Sequence, residues 1–480
     1  MIIYINGSKY EIEAVVKLFF PLERFEFKED APVRTDGCII ARTDETLFVY
    51  AAAGGRKAER SAPLPEDPSE NEITLCRLLF TALTELTGVT PAWGCLTGIR
   101  PVKKINTLMS RGMDYEQMYS YLHRKYLISR SKFDLIFRTA QGQRHALDTY
   151  DPHSFSLYIG IPFCPSRCSY CSFVSHSITS KGAKQLIPQY VDMLIRELRE
   201  TGEMLRGTPF HCDTVYIGGG TPTAIDAHQL SRIMGTAADS FDLSAVREYT
   251  VEAGRPDTIT EDKLSVIKEH ATRISINPQT LSDSVLRNIG RIHSARQFYD
   301  AFDLARKMGF DSVNTDTIAG LPGDTAEGFR ATIDGLIALS PENITVHTLT
   351  VKRSATLFQG TARGDLAADD TLMRMVDYAG EALADAGYSP YYLYRQKNTI
   401  GNLENVGFSK PGHEGLYNIY IMEEIQNIIS CGAGASTKII DHSTGKITRS
   451  FNYKYPYEYI SRYDRMTEYK KTVRQMLTEN

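Results

Sequence analysis

The sequence predicts an α/β fold: a partial (β/α)6 barrel of parallel strands, preceded by an α+β domain and followed by a C-terminal extension. Three observations lead there. From Phe155 onward, six short apolar, β-branched runs alternate with longer helical patterns, the rhythm of βαβ units and a parallel sheet. Right-handed crossovers wind such units into a barrel, and six stop short of the eight that close one. The chemically unusual residues fall at the C-terminal ends of these runs, the face on which barrel enzymes build their sites.

At 480 residues, with 42% apolar and 23% charged residues, the chain has an ordinary globular composition and room for about two to three domains. The boundaries read as 1–150, 151–365 and 366–480. A net charge of −4 gives no electrostatic case for nucleic acid. No apolar run approaches the ~18 residues of a membrane span, and the N-terminus reads as a strand and polar turn, not a signal peptide. Of eight cysteines, five (Cys38, Cys76, Cys95, Cys212 and Cys431) are scattered, which is no disulfide framework and fits a reducing cytoplasm.

The N-terminal domain opens with a strand (IIYIN), a helical run (EAVVKLFF) and strands near 38–53. GGRKAERSAPLPEDPSEN reads as a polar loop. Asn71 or Ser69 is expected to cap the helix ITLCRLLFTALTELTG, which Gly88 ends. Residues 112–147 are helical by pattern. Between Cys95 and Leu147, ten Lys/Arg face three acidic residues, a net of 10 − 3 = +7. This is either a solvated helical face or a surface for an anionic ligand such as RNA.

The barrel strands are expected at 155–161, 213–219, 247–254, 272–278, 311–320 and 343–350. Strand one leads into YIGIPFCPSRCSYC, with Cys164, Cys168 and Cys171 spaced C-x3-C-x2-C. Strand two leads into Gly218, Gly219, Gly220, Thr221, Pro222 and Thr223. Glu252 closes strand three, Asn277 and Gln279 strand four, Asp316 strand five, and His347 with Lys352 strand six. Beyond 365 come a helix, a strand-like YYLYRQK and a Gly/Asn-rich loop, TIGNLENVGFSKPGHEGLYN. Short strands or a Gly turn follow near CGAGASTKI and KITRSFNY, then a Tyr-rich helical end.

Three thiolates on one loop can hold three irons of a cubane cluster and leave the fourth open. Zinc is the alternative: His176 lies five residues beyond Cys171 and could complete a Cys3His site, although a second C-x2-C pair is missing. Phe163, Tyr170 and Phe173 would screen a cluster from water.

The segment YIGIPFCPSRCSYC resembles the signature of the radical S-adenosylmethionine (SAM) enzymes. The ordered motifs over about 155–430, with WGCLTGIRPVKKI before and YYLYRQKNTIGNLENVGF after, resemble the oxygen-independent coproporphyrinogen III dehydrogenase family in its HemZ branch. The resemblance implies that Cys164, Cys168 and Cys171 ligate a [4Fe–4S] cluster whose open iron chelates SAM. It implies that Tyr158, Tyr170, Gly219, Gly220, Thr221, Glu252, Gln279, Arg291 and Asp316 form the cofactor-binding set. The last four lie 27, 12 and 25 residues apart, in the family's order. The reaction implied is oxidative decarboxylation of two propionates of coproporphyrinogen III, fed by an electron donor such as flavodoxin or ferredoxin. Arg273, Arg287, Lys352, Arg353 and Arg395 are candidate propionate partners by sign and position.

Two positions depart from the dehydrogenase pattern. Gly160 stands where a histidine is common, and Phe173 where a fourth cysteine is common. Haem chaperones of the same superfamily also lack that cysteine. A haem-trafficking protein, a SAM-dependent haem-opening enzyme and an RNA-modifying radical enzyme are therefore the alternatives.

Overall fold

The computed structural model describes residues 1–480 except 22, 31, 174, 351–369, 397, 398, 400, 401 and 480. The described residues divide into two compact units, one of Met1–Gln141 with Leu393–Glu404, the other of the remainder.

In the first unit, β1 (Ile2–Ile5), β2 (Glu26–Lys28), β3 (Cys38–Thr43), β4 (Thr46–Ala53) and β5 (Arg56–Pro63) form a sheet in the order β2-β1-β3-β4-β5. Helices α1 (Lys9–Phe19) and α2 (Asn71–Thr87) lay Val15, Val16, Leu75, Leu79 and Leu83 against Ile39 and Val49 of that sheet. Strand β5 corrects the expected loop. Gly54 and Gly55, at φ 61° and 75°, make the doubly left-handed turn that suits a two-residue hairpin, and β5 pairs with β4 throughout. Its charged residues read as loop because an edge strand with one wet face is itself polar. The capping expectation also changes: Asp67 accepts from Ser69 N at 2.9 Å and caps a short turn before α2, whereas Gly88 ends the helix at φ 77° as expected.

Helices α3 (Val102–Ser110), α4 (Tyr115–Tyr126) and α5 (Arg130–Asp148) fill the basic stretch. Much of its charge is paired: Lys125 with Glu70 (3.0 Å), Arg130 with Glu116 (2.6 Å), Arg144 with Asp148 (3.0 Å) and Lys132 with the buried Glu404 (2.7 Å). Trp93 Nε1 donates to the same Glu404 at 2.7 Å, and the Arg395 guanidinium lies 4.7 Å over the Trp93 ring. The two outlying motifs of the HemZ resemblance thus meet in one buried cluster.

In the second unit, β6 (Ser154–Ile161) runs into a two-residue strand β7 (Phe163–Cys164), paired with β8 (His176–Ser177). Then α6 (Lys181–Leu205), β9 (His211–Gly219), α7 (Ala227–Ser240), β10 (Glu248–Glu252), α8 (Glu261–Lys268) and β11 (Arg273–Ser275) follow. The series ends with α9 (Asp283–Asn288), α10 (Ala295–Lys307), β12 (Val313–Ala319), α11 (Ala326–Leu339) and β13 (Asn343–Thr348). The six expected strands form and pair in parallel in chain order, β6-β9-β10-β11-β12-β13. With helices between these parallel strands the arrangement is an open barrel arc, and the sheet does not close on itself.

The C-terminal segment extends that sheet at both ends. β14 (Ser389–Arg395) and β15 (Glu404–Ser409) add beyond β13. β16 (Asn427–Cys431) adds a seventh parallel strand beside β6, and β17 (Ser436–Ile440) and β18 (Ile447–Phe451) continue antiparallel. The stretch expected as a Gly/Asn-rich loop instead holds β15 and the helix Leu416–Glu423. Glu404 to Ser409 are all buried, and Gly407 leaves no space for a side chain against the Tyr392 ring. Among the described residues no helix is long and apolar enough to cross a membrane.

One buried carboxylate fastens the C-terminal segment to the barrel. Glu197 of α6, fully buried, accepts from Gly432 N (2.7 Å), Asn452 Nδ2 (2.8 Å) and Tyr459 Oη, and pairs with Lys470 at 2.9 Å. Glu197→Ala strands the Lys470 ammonium in the interior, so a loss of about 3–5 kcal/mol is expected. A lower thermal midpoint by calorimetry checks this, and an unchanged midpoint would contradict the fastening role.

Candidate functional site

The site begins where β6 ends. The first turn of the cysteine loop is bound to the glycine run: Gly220 N donates to Ile161 O at 2.8 Å and Thr221 N to Phe163 O at 2.7 Å. A Cβ on Gly220 would stand 2.6 Å from Phe163 O, so the two backbones approach as only glycine allows. Gly219, at φ 110°, turns the chain into this contact. The amides of Gly220 and Thr221 are therefore used inside the protein, and the run also carries the Thr221 hydroxyl. That hydroxyl lies 3.5 Å from Cys164 Sγ.

Cys168 is buried, while Cys164 and Cys171 are half-buried; all three are free thiols. Burial pushes the Cys171 thiol up to about 11, and the neighbouring Cys168 and Cys164 add to the rise. Two buried arginines tie the loop to the strand ends. Arg291 donates to Tyr170 Oη (3.0 Å) and to the carbonyls of Gly254 (2.7 Å) and Asn277 (2.8 Å). Arg255 donates to Ser166 Oγ (3.1 Å) and Cys168 Sγ (3.8 Å) while it grips Asp257. His293 sits between these arginines, 3.9 Å from Asp257, and burial with the Arg291 charge brings it down to about 3, so it is neutral. The expected screen holds only in part: Phe163 is fully buried and Tyr170 half-buried, but Phe173 is 70% exposed.

Across the barrel lie the carboxylates. Glu252 accepts from Tyr216 Oη (2.5 Å) and Asn277 Nδ2 (3.3 Å). Burial, and the Asp316 carboxylate nearby, hold Glu252 above its ordinary value. Asp316 goes the other way. Burial raises it, but the hydrogen bond and charge of His347 (3.6 Å), with Asn314 and Thr345, more than offset that and leave it below its ordinary value. Burial opposes the charge on His347, yet Asp316 and Asn405 hold its pKa above the ordinary imidazole value.

Asp316 lies mid-strand and does not close β12 as expected. A bridge between Gln279 and Thr317 prolongs the pairing beyond it. Gln279 is held at φ 68°, a conformation rare outside glycine, by Gln279 N to Asp316 O and Ile318 N to Gln279 O, both 3.0 Å. Its Oε1 is buried with no partner among the described residues.

Tyr158 lies on β6 in a tyrosine stack, with Tyr216 at 6.2 Å and Tyr417 at 6.4 Å between ring centres. Burial, then the Glu252 charge, raises its phenol, which stays protonated. The candidate propionate partners disperse. Arg273 is buried at the start of β11, the opposite end of the strand, and donates to Tyr391 Oη at 3.3 Å. Arg395 is buried in the first unit, and its charge belongs to the Trp93 cluster. Arg287 is exposed and lines an open cavity of about 400 Å³ with Arg291, Ile292 and His293. Lys352 and Arg353 lie outside the described residues. Sequence reasoning missed Arg255, Asp257, Tyr216, Tyr417 and His293 as members of the site. The signal for the first two was EAGRPD, an Arg and an Asp within five residues of Glu252.

With this geometry in place, a family model described as the Radical SAM superfamily matches residues 158–336. The chain is 39% identical over 443 residues to the oxygen-independent coproporphyrinogen-III oxidase-like protein HemZ of Bacillus subtilis (strain 168), covering 90% of this chain and 88% of that protein. The chain belongs to the radical SAM superfamily, among its HemZ-like proteins. It is also 32% identical over 285 residues to the heme chaperone HemW of Lactococcus lactis subsp. lactis (strain IL1403), across 58% of this chain and 69% of that one. The solved structure of coproporphyrinogen III oxidase (HemN) from Escherichia coli superposes with a TM-score of 0.54 at 23% identity, over 68% of this chain and 73% of that chain. At that identity the likeness is one of fold.

Radical SAM proteins bind a [4Fe–4S] cluster and SAM. The residues present fit such a pair. Three free thiols lie on one loop, and the unpartnered, buried Gln279 Oε1 supplies an acceptor that a polar ligand would satisfy. Among the described residues, no group of three or more His, Cys, Asp or Glu converges as the ligands of a single ion must. His176, the fourth zinc ligand of the alternative reading, lies on β8 beside Phe163, with its ring against Tyr455.

The Asp316–His347 pair sets a pH dependence. His347 is raised above 6.5, so its pairing stabilises the fold fully below pH 6.5 and less as pH rises through the folded-state value. Asp316 is lowered from 3.8, so its share is present above pH 3.8 and lost as pH falls through its folded-state value. In the chain without cofactors, the His347 imidazole should titrate above 6.5 by NMR, assigned by its absence in His347→Gln. Asp316→Asn should bring it down, because burial is then opposed only by the weaker effects of Asn405 and Glu252. A wild-type midpoint at or below 6.5 would refute the pairing.

Proposed function

We propose that this protein is a radical SAM enzyme that converts coproporphyrinogen III to protoporphyrinogen IX by oxygen-independent oxidative decarboxylation of two propionate side chains. The observation that carries this reading is that the cysteine loop, the glycine run, Glu252 and Gln279 lie at or just beyond the ends of successive parallel strands of a HemZ-like chain, with Asp316 in the middle of β12 and Arg291 on the loop after α9. Cys164, Cys168 and Cys171 would each hold one iron of the cluster, with the fourth left for SAM. When bound, the cluster and SAM supply an organic radical that removes a hydrogen atom from the substrate.

The chain's own residues bind and orient. Arg255 and Arg291 hold the cysteine loop rigid through Ser166 and Tyr170. Glu252, Gln279 and Asp316 give acceptors of three kinds for the amino and hydroxyl groups of SAM: a carboxyl held up, a neutral amide and a carboxylate held down. His347, whose cationic form Asp316 favours, would give the barrel interior a partner for a propionate. Tyr158, Tyr216 and Tyr417 stack on one another beside Glu252 and would help to keep water from the reacting region.

A second reading is a haem chaperone. It is favoured by Phe173, whose exposed side chain stands where the dehydrogenases place a cysteine, and by the shared stretch with HemW. The two separate in one experiment: anaerobic incubation of the reconstituted protein with coproporphyrinogen III, SAM and a reductant, followed by product mass. The expected result is the loss of two carboxyl groups per substrate, dependent on SAM, and its abolition in Cys168→Ala. Unchanged substrate mass together with stoichiometric haem binding would favour the chaperone, and full activity in Cys168→Ala would refute the cluster assignment.

A further inference from the structure

We infer that Arg255 is a positioning residue for the cluster, donating an N–H to Cys168 Sγ and so raising the cluster's reduction potential; this rests on the cluster assignment proposed above. Arg255 is 3% exposed, and its Nη1 lies 3.8 Å from Cys168 Sγ, within reach of an N–H···S hydrogen bond. The same nitrogen lies 3.1 Å from Ser166 Oγ and 3.5 Å from Ser166 O, two residues before that cysteine.

The rest of the guanidinium is fixed. Its Nε and Nη2 grip Asp257 at 2.9 and 3.1 Å, a two-point ion pair that leaves Nη1 aimed at the loop. The backbone is fixed as well: Pro256 starts a short turn, and the Thr258 N and Oγ1 both donate to Arg255 O, at 2.9 and 2.7 Å. A buried Arg–Asp pair is weak evidence for stability, because desolvation consumes its Coulomb energy. The surplus donor on the sulfur side is what an apolar replacement could not reproduce. Lysine could not either, since a single ammonium cannot grip Asp257 at two points and reach the sulfur.

Hydrogen bonds to cluster sulfurs are a main determinant of iron–sulfur potentials. Reduction places more negative charge on the thiolates, so an N–H aimed at one of them stabilises the reduced state more than the oxidised one. Arg291, the other buried arginine here, spends its inward Nη1 on the Tyr170 hydroxyl instead.

The test is an EPR-monitored redox titration of anaerobically reconstituted wild type, Arg255→Met and Arg255→Lys, without substrate, with iron content measured on each. The expected result is about four irons per chain in all three, as a cubane requires. The Arg255→Met midpoint should be lower by at least 59 mV, a tenfold change in a one-electron equilibrium constant, and Arg255→Lys should fall between. An unchanged midpoint in Arg255→Met overturns the proposal. If only that variant fails to load, Arg255→Lys is judged by direction, and a midpoint equal to wild type overturns it. Failure of both to load, while wild type loads, also overturns it, because Arg255 is then structural. A wild type that loads no cluster refutes the cluster assignment itself, a separate outcome.

Discussion

A contact between two backbones governs the top of the barrel. Gly220 lies on Phe163 so closely that no side chain fits between them, and the amides of Gly220 and Thr221 hydrogen bond across the gap. The contact fixes where the cysteine loop leaves β6, and with it the place of every sulfur. A glycine run at a strand end is usually read as room for a ligand. Here its first effect is internal, because it lets the sheet's hydrogen bonding continue past the last residue of β6 and into the loop.

From that anchor the site divides into a cationic side and an acidic side. Arg255, just past the end of β10, and Arg291, on the loop between α9 and α10, hold the cysteine loop by its polar atoms, each completing its hydrogen bonds on carbonyls or on Asp257. Glu252 and Asp316 are close enough to repel, and the protein resolves this by giving them unequal partners. His347 gives Asp316 a charge partner, while Glu252 accepts from the neutral Tyr216, Asn277 and Ser275 side chains. The two carboxyls therefore move in opposite directions.

The barrel was legible in the sequence because parallel strands buried on both faces are continuous apolar runs, and all six lay where the runs lay. The two misread strands failed for opposite reasons. β5 is an edge strand, whose charges resemble a loop, and β15 is a buried strand carrying Glu404 and Asn405, whose polarity is satisfied by partners distant in sequence. The seventh parallel strand, β16, follows the helix Leu416–Glu423, whose sequence reads as a Gly/Asn-rich loop, so the barrel rhythm did not announce it. Among site residues, those with chemical rarity were visible, as three clustered cysteines and a glycine run are. Arg255, Tyr216 and His293 were not, because an arginine, a tyrosine or a histidine near a strand end is common, and only the fold reveals what it faces. Arg273 and Arg395 show the converse: positive charge at a suggestive place in the chain, spent in each case on a buried partner elsewhere.

The positions that depart from the dehydrogenase pattern differ in physical character. Gly160 faces ordinary van der Waals distances, with the nearest atoms to an added Cβ at 3.5 Å, so its lack of a side chain is not forced by packing. Its carbonyl is engaged by Tyr190 Oη at 2.6 Å, which also accepts from Ala433 N, so the backbone there serves the join between β6 and the C-terminal segment. Phe173, by contrast, is outside the packed loop and exposed. A side chain at Phe173 meets whatever approaches the cysteine loop from solvent, whereas one at Gly160 would meet the Tyr158 ring and the carbonyls of Cys431 and Ala433. The first position therefore faces solvent, and the second faces β16 and the turn that follows it.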